Sequence, residues 1–354
     1  MVIREQNEYR LLVTQPAHAW ISGQLAENWG GYGFPRPGPW KELCFAAARH
    51  DDGWASRDRH PGLNPDTGAP YDFKNIPISD HMTIWDRSVA LAGQYSRFGA
   101  LLVSRHISGL FSMHDFAGEP EDVRQKAGQF EKRQFALQKR LTAGLAKDDF
   151  YRHFIEDRTL DWHRRLLSAF DYLSLFLIIG ASQETGLSDI PSSENGLDEN
   201  SPDENSLDEN SLDENSAHQS SPSENCPAEH TPYDKSPEEI DPEANRSATI
   251  RVSKTGEDAG SHARPNRYAV SPWPFVNDRV ELRCDAIRLE KRCTDQQELD
   301  RALAQSERVL ISVELVPGNG SGSAGPGERV SRNWAGSAGP GERVSRNLSG
   351  GNDN

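Results

Sequence analysis

Leu43-Cys-Phe-Ala-Ala-Ala-Arg-His50-Asp51-Asp52-Gly53-Trp54 is the stretch on which the fold turns. Leu43, Ala46, Ala47 and His50 share one face at helical spacing. The periodicity therefore predicts a helix that carries His50 inward with its apolar residues. Gly53 is expected to end that helix in the left-handed cap conformation. An imidazole beside a carboxylate on the last turn of a rigid helix makes a good pair of metal ligands. Adjacent polar residues at a helix end more often form only a cap, by roughly two to one. Further ligands must come from the rest of the chain.

The 354 residues carry a net charge of −15, but the acidity is local. Residues 183–245 hold 18 Asp and Glu against one Lys, a net of −17, which leaves about +2 for the remainder. A nearly neutral folded part lacks the basic face of a nucleic-acid binder and gives poor support for binding acidic membranes. The four cysteines, Cys44, Cys226, Cys284 and Cys293, form no CxxC pair, so neither a zinc knuckle nor a disulfide framework is suggested. The charged N-terminus has no secretory apolar core, and Leu173–Ile179 is too short to span a bilayer. A reducing, cytoplasmic setting is expected.

Along the chain, Val2-Ile3 and Arg10–Val13 predict a β-hairpin. Thr14 and Pro16 then open a helix that turns His18, Ile21, Leu25 and Trp29 to one side. Residues 55–79 form a long loop whose aromatic content favours docking. A helix from Ser79 aligns His81, Ile84, Trp85 and Val89, and the next, from about Phe98, aligns Leu102, Val103, His106 and Leu110. A long amphipathic helix covers about 121–145. The last strong helix, about Thr159–Ile179, has Asp171 in its apolar stripe between Leu167 and Leu175. Near 200 a pentad repeat of the form Ser-Leu-Asp-Glu-Asn has no apolar period and is expected to be disordered. Strands are predicted at Thr249–Val252, Tyr268–Val270, Val280–Ile287 and Val309–Leu315, with a short helix opened by a capping box at Thr294–Gln297. The tail repeats a Gly-rich dodecamer.

Six inward-facing ligand types accumulate in this way: His18, His50, Asp51, His81, His106 and Asp171. Buried together they would repel or stay unsatisfied without a cation or an extensive hydrogen-bond network. Six N/O ligands without a thiolate suit a pair of divalent ions such as Fe or Mn, with Asp51 able to bridge them. Asp52 is a candidate for orienting a ligand histidine, and His114 for shuttling protons. Arg57 and Lys74, in the long loop, are candidates for holding an anionic substrate.

The order His, His-Asp, His, His, Asp resembles the HD-domain superfamily of metal-dependent phosphohydrolases and diiron oxygenases. The gaps of 30 and 25 residues from Asp51 to His81 and from His81 to His106 resemble those of its dinuclear members. Many HD phosphohydrolases have Lys or His after the glycine. Here it is Trp54, whose indole is neither acid, base nor phosphate partner. More narrowly, Thr14–His18, Arg49–Trp54, Asn64-Pro65, Pro70–Phe73 and Ser271–Phe275 resemble an uncharacterised bacterial family, domain of unknown function 3891. These resemblances imply a mainly α fold, an HD-like helical bundle with an N-terminal β-hairpin and a small C-terminal β/α unit. The expected divisions are a metal-binding domain at 1–181, an acidic insertion at 182–246, the β/α unit at 247–316 and a Gly-rich tail at 317–354. The expected activity is hydrolysis of a small anionic substrate by a metal-activated water. The alternatives are an HD-type diiron oxygenase and a non-catalytic binding domain. The sequence does not speak to oligomeric state.

Overall fold

The computed structural model describes residues 1–31, 33–180, 184–192, 234–235, 246–255, 265–290 and 292–318. Seven strands form one sheet: β1 (Val2–Glu5), β2 (Arg10–Val13), β3 (Thr185–Ser192), β4 (Arg246–Lys254), β5 (Asn266–Ser271), β6 (Val280–Leu289) and β7 (Arg308–Pro317). Their order across the sheet is β1-β2-β6-β7-β5-β4-β3. Neighbours run antiparallel except β7 and β5, which are parallel with Leu315 opposite Tyr268.

The helices are α1 (Gln15–Asn28), α2 (Trp40–Arg49), α3 (Ala55–Arg59), α4 (Ile78–Ala92), α5 (Arg97–Phe111), α6 (Glu121–Leu145), α7 (Asp157–Ile179) and α8 (Gln296–Gln305). Local chemistry sets several of their ends. Thr14 Oγ1 accepts from Ala17 N at 3.2 Å to cap α1, and Ser96 Oγ accepts from Gly99 N at 3.0 Å to cap α5. The helix α7 stops at Gly180, φ 73°, whose N–H closes on Phe176 O. A Cβ there would also lie 2.7 Å from the Arg4 guanidinium. The cap of α8 is Asp295, whose side chain accepts from Glu298 N, while the Glu298 carboxylate takes the Thr294 N–H in return. The cap is thus Asp295, one residue later than the expected Thr294, and Glu298 returns its bond to Thr294.

These elements overturn the expectation of a mainly α, HD-like bundle: the fold is mixed α/β. Leu12 of β2 lies opposite Ile287 of β6, 275 residues later in the chain. The hairpin and the C-terminal strands are therefore one sheet and not two appendages. A two-stranded hairpin is marginal by itself, and extending it buries its faces. Alternation assigns those faces. Leu11, Val13, Leu282, Cys284 and Ala286 join Ile21, Leu25, Leu43, Leu102 and Phe170 in the main core between sheet and helices. Leu12, Ile287 and Leu289 point the other way, onto Met1, Ala69 and Leu299 of α8. Each such aliphatic side chain contributes ~1.5–3 kcal/mol on burial.

β3 lies inside the segment assigned by composition to the acidic insertion, and pairs with β4 from Thr185–Val252 to Ser192–Arg246. The pentad repeats and the Gly-rich repeats from residue 319 onward lie outside the described residues. Among the described residues no helix is long and apolar enough to cross a membrane.

Candidate metal centre

Four helices deliver the central residues. His18 lies in the first turn of α1, and His50 is the C-cap of α2 with Asp51 directly after it. His106 lies on α5 and Asp171 on α7, and α1, α2, α5 and α7 pack against one another. All five side chains are buried.

Their donor atoms converge. His18 Nε2 is 3.0 Å from Asp51 Oδ2 and 3.5 Å from Asp171 Oδ1. His50 Nε2 is 3.7 Å from Asp51 Oδ2 and 3.5 Å from Asp171 Oδ1, and His106 Nε2 is 3.3 Å from Asp171 Oδ2. Donors each ~2.1 Å from a common ion would lie roughly 3.0–3.4 Å apart; the spacing here is 3.0–3.7 Å, slightly wider. The groups His18, His50, Asp51 and His50, His106, Asp171 each hold their ligand atoms within 4.8 Å of one another. The three imidazoles stand edge to face, with centroids 5.2 Å apart from His18 to His50 and from His50 to His106.

The far nitrogen of each ring is anchored. His50 Nδ1 lies 2.9 Å from Ala47 O. A carbonyl only accepts, so in the neutral ring Nδ1 carries the proton and Nε2 offers its lone pair to the centre. His18 Nδ1 lies 2.7 Å from Ser174 Oγ, which also lies 2.8 Å from Asp171 O. His18 Nε2 faces the centre, 3.0 Å from the Asp51 carboxylate as a hydrogen-bond partner. His106 Nδ1 is 3.1 Å from Ser168 Oγ. Partners of this kind orient metal-binding histidines. Nε2 of His50 and of His106 are buried without a well-formed hydrogen bond, their nearest acceptors being the Asp171 oxygens at 3.5 and 3.3 Å. Such atoms are costly unless something else occupies the point they share.

The electrostatics agree. Burial alone would keep His50 neutral, but the charges of Asp51 and Asp171 push it up to about 9. Burial would raise both carboxylates, yet the histidines overcome it: Asp51 is lowered, and Asp171 falls well below the usual range. The cluster thus demands a positive charge. The carboxylates keep 10% and 11% of their side-chain surface open against 0–2% for the imidazoles, so the residual exposure of the cluster is on the carboxylates.

A family model described as a protein of unknown function, DUF3891, matches residues 1–291. The chain belongs to the DUF3891 family. No curated protein and no solved structure matches it.

In this DUF3891 protein the other expected site residues stand apart. His81 is not in the cluster: its Nε2 lies 3.0 Å from Phe73 O, and its ring packs on Trp54 and Trp85. Asp52 does not orient a ligand histidine, because its carboxylate is paired with Arg49. His114 lies past the end of α5, bonded to Glu119 at 2.9 Å and set against Phe116. Arg57 is paired with Asp80 at 2.9 Å, and Lys74 is exposed over the Phe73 ring. Gly53 is no left-handed cap: Asp52–Trp54 is a 3-10 turn leading into α3. Its glycine serves contact instead, since a Cβ would lie 2.2 Å from Ile84 O and 2.6 Å from Ser88 Oγ.

Three positioning groups went unforeseen. Ser168 and Ser174 flank Asp171 at i−3 and i+3, a stripe visible in the sequence once Asp171 is taken as a ligand. Asp58 gave no such signal. It is buried, and its carboxylate takes the Met1 amine at 3.0 Å and the Gln15 N–H at 2.6 Å, holding the start of α1 and with it His18.

Proposed function

We propose that the chain is a metal-dependent hydrolase of a small molecule, built on one divalent cation held by His18, His50, Asp51, His106 and Asp171. The observation that carries this reading is the convergence of five N/O donors at 3.0–3.7 Å with two buried imidazole nitrogens left unpartnered. When bound, a divalent ion there supplies a Lewis acid and lowers the pKa of a coordinated water. The protein's own part is positional. Ser174, Ala47 O and Ser168 keep the ring lone pairs inward, the imidazoles close the rear of the site to water, and the carboxylate flank admits the substrate.

The order His18, His50-Asp51, His106, Asp171 along successive helices supports an HD-type arrangement within a fold that carries a large sheet. A single ion fits better than the expected pair, because the nitrogen of His81 that carries a proton is committed to Phe73 O and its other nitrogen joins no ligand group. That favours hydrolysis over diiron oxygen chemistry. Arg57 and Lys74 lend no support to an anionic substrate, since Arg57 is paired with Asp80 and Lys74 lies over the Phe73 ring.

Elemental analysis of protein purified without added metal tests the reading. About one first-row ion per chain is expected, removable by chelation and lost in His50→Ala and Asp171→Ala. Turnover on a panel of esters, amides and phosphoesters should vanish with the ion and return with it. A chain that takes up no divalent ion would sink the proposal.

A further inference from the structure

His81 has a chemistry that the five-residue cluster does not use. Its Nε2 faces the Phe73 carbonyl at 3.0 Å, so Nε2 carries the proton and Nδ1 is an acceptor. That Nδ1 is buried and has no hydrogen-bond partner. The ring is wedged between Trp54 at 5.3 Å and Trp85 at 5.1 Å, which stops it from turning toward another group. Burial pushes it down to about 4 despite the Phe73 carbonyl and the charge of Asp51, so it is neutral near pH 7.

Its location follows from the turn after the ligand pair. Trp54 N donates to Asp51 O at 3.0 Å, so the indole that packs on His81 closes a turn beginning at the ligand itself. His81 therefore lies near Asp51, whose charge acts on its ring.

We propose that His81 Nδ1 accepts a hydrogen bond from the molecule bound at the metal's open position. The site would then select ligands that carry an N–H or O–H next to their metal-binding oxygen, such as amides, hydroxy compounds and hydroxamate-like groups. A fully ionised phosphate or carboxylate has nothing to donate there. A site that pairs a substrate proton rejects the analogue lacking it. This inference rests on the metal-centre reading.

The test uses the full chain loaded with Co(II), whose visible spectrum reports ligand binding. The probes are acetohydroxamate and N-methylacetohydroxamate, which share chelating oxygens but differ in one N–H. The wild-type protein should bind acetohydroxamate about tenfold more tightly, the size of one hydrogen bond. In His81→Phe the two probes should bind alike, with Co(II) stoichiometry unchanged. His81→Gln, which restores an acceptor, should recover part of the preference and also serves if the Phe variant fails to fold. Equal binding of the two probes by the wild type, or a preference that survives in His81→Phe, overturns the inference and leaves the metal reading intact. A fall from two Co(II) to one per chain in His81→Phe makes His81 a ligand and also overturns it. If the wild type takes up no Co(II), the metal reading itself has failed.

Discussion

Ser174 Oγ lies 2.7 Å from Nδ1 of His18 and joins α7 to α1 across 156 residues of chain. The same hydroxyl lies 2.8 Å from Asp171 O, and with an ion at Nε2 the ring's proton would sit on Nδ1 and be donated to Ser174 Oγ. One serine thus holds the ring of one ligand and ties it to the backbone of another. Ser174→Ala should keep the fold and weaken metal affinity about tenfold or more. Chelator competition measures this, and an unchanged affinity would remove Ser174 from the site.

Metal uptake should displace a proton. With its value raised to about 9 by Asp51 and Asp171 against the opposing effect of burial, His50 is protonated near neutral pH when no ion is present. The folded value lies above the ordinary 6.5, so its contribution to stability is fully present below about pH 6.5 and is lost as pH rises through about 9. Loading at pH 7.5 should release about one proton, and release should fade above about pH 10. Calorimetry in buffers of differing ionisation enthalpy counts those protons; no release at pH 7.5 would contradict the arrangement.

Acid should act through His163, remote from the ligands. It is buried against Phe98 with Nδ1 2.8 Å from Thr159 O, and burial pushes it down to about 4. The unfolded chain takes up this proton below about pH 6.5 while the folded chain resists it until about pH 4, so stability falls as pH drops through that window. His163→Leu should flatten the fall in melting temperature between pH 6.5 and 4.5. A slope equal to the wild type's would assign the effect elsewhere.

Gly53→Ala should be destabilising by about 1–3 kcal/mol, the cost of overpacking a tight contact. Its Cβ would meet Ile84 O at 2.2 Å, and Gly53 N also donates to Ser88 Oγ at 3.0 Å. Because the same turn carries Asp51, metal affinity should fall together with stability. Denaturant unfolding and a metal titration on one preparation check both, and an alanine tolerated at wild-type stability would mean that α4 can yield.

The helices were legible because each writes its own period. Leu43, Ala46 and Ala47 are buried as their spacing requires, and His50 is carried inward with them. Thr14 and the Ser96 cap are local hydrogen bonds of the kind short-range chemistry decides. His81 shows where that logic stops. It shares a helix with Ile84, Trp85 and Val89 just as His106 does with Leu102 and Val103, and periodicity treats the two alike. Yet His106 Nε2 stands 3.3 Å from Asp171, while His81 is bonded to Phe73. A period gives the direction of a side chain relative to its own helix axis, and the distance to a residue on another helix depends on how the axes pack.

By itself, then, the sequence determined the longer helices but not α3, most of the strands, and an inward set of histidines and aspartates that contained the cluster. Tertiary structure alone decided that Leu12 pairs with Ile287, which turns a hairpin and a C-terminal unit into one sheet and the fold into mixed α/β. It also decided that five of the six inward residues fall into two ligand groups sharing His50, while His81 is bonded to Phe73 O. The physical reason is the same in both cases. Strand partners and ligand geometry are pairings between segments remote in sequence, chosen by how well the whole core closes, and no local pattern encodes them.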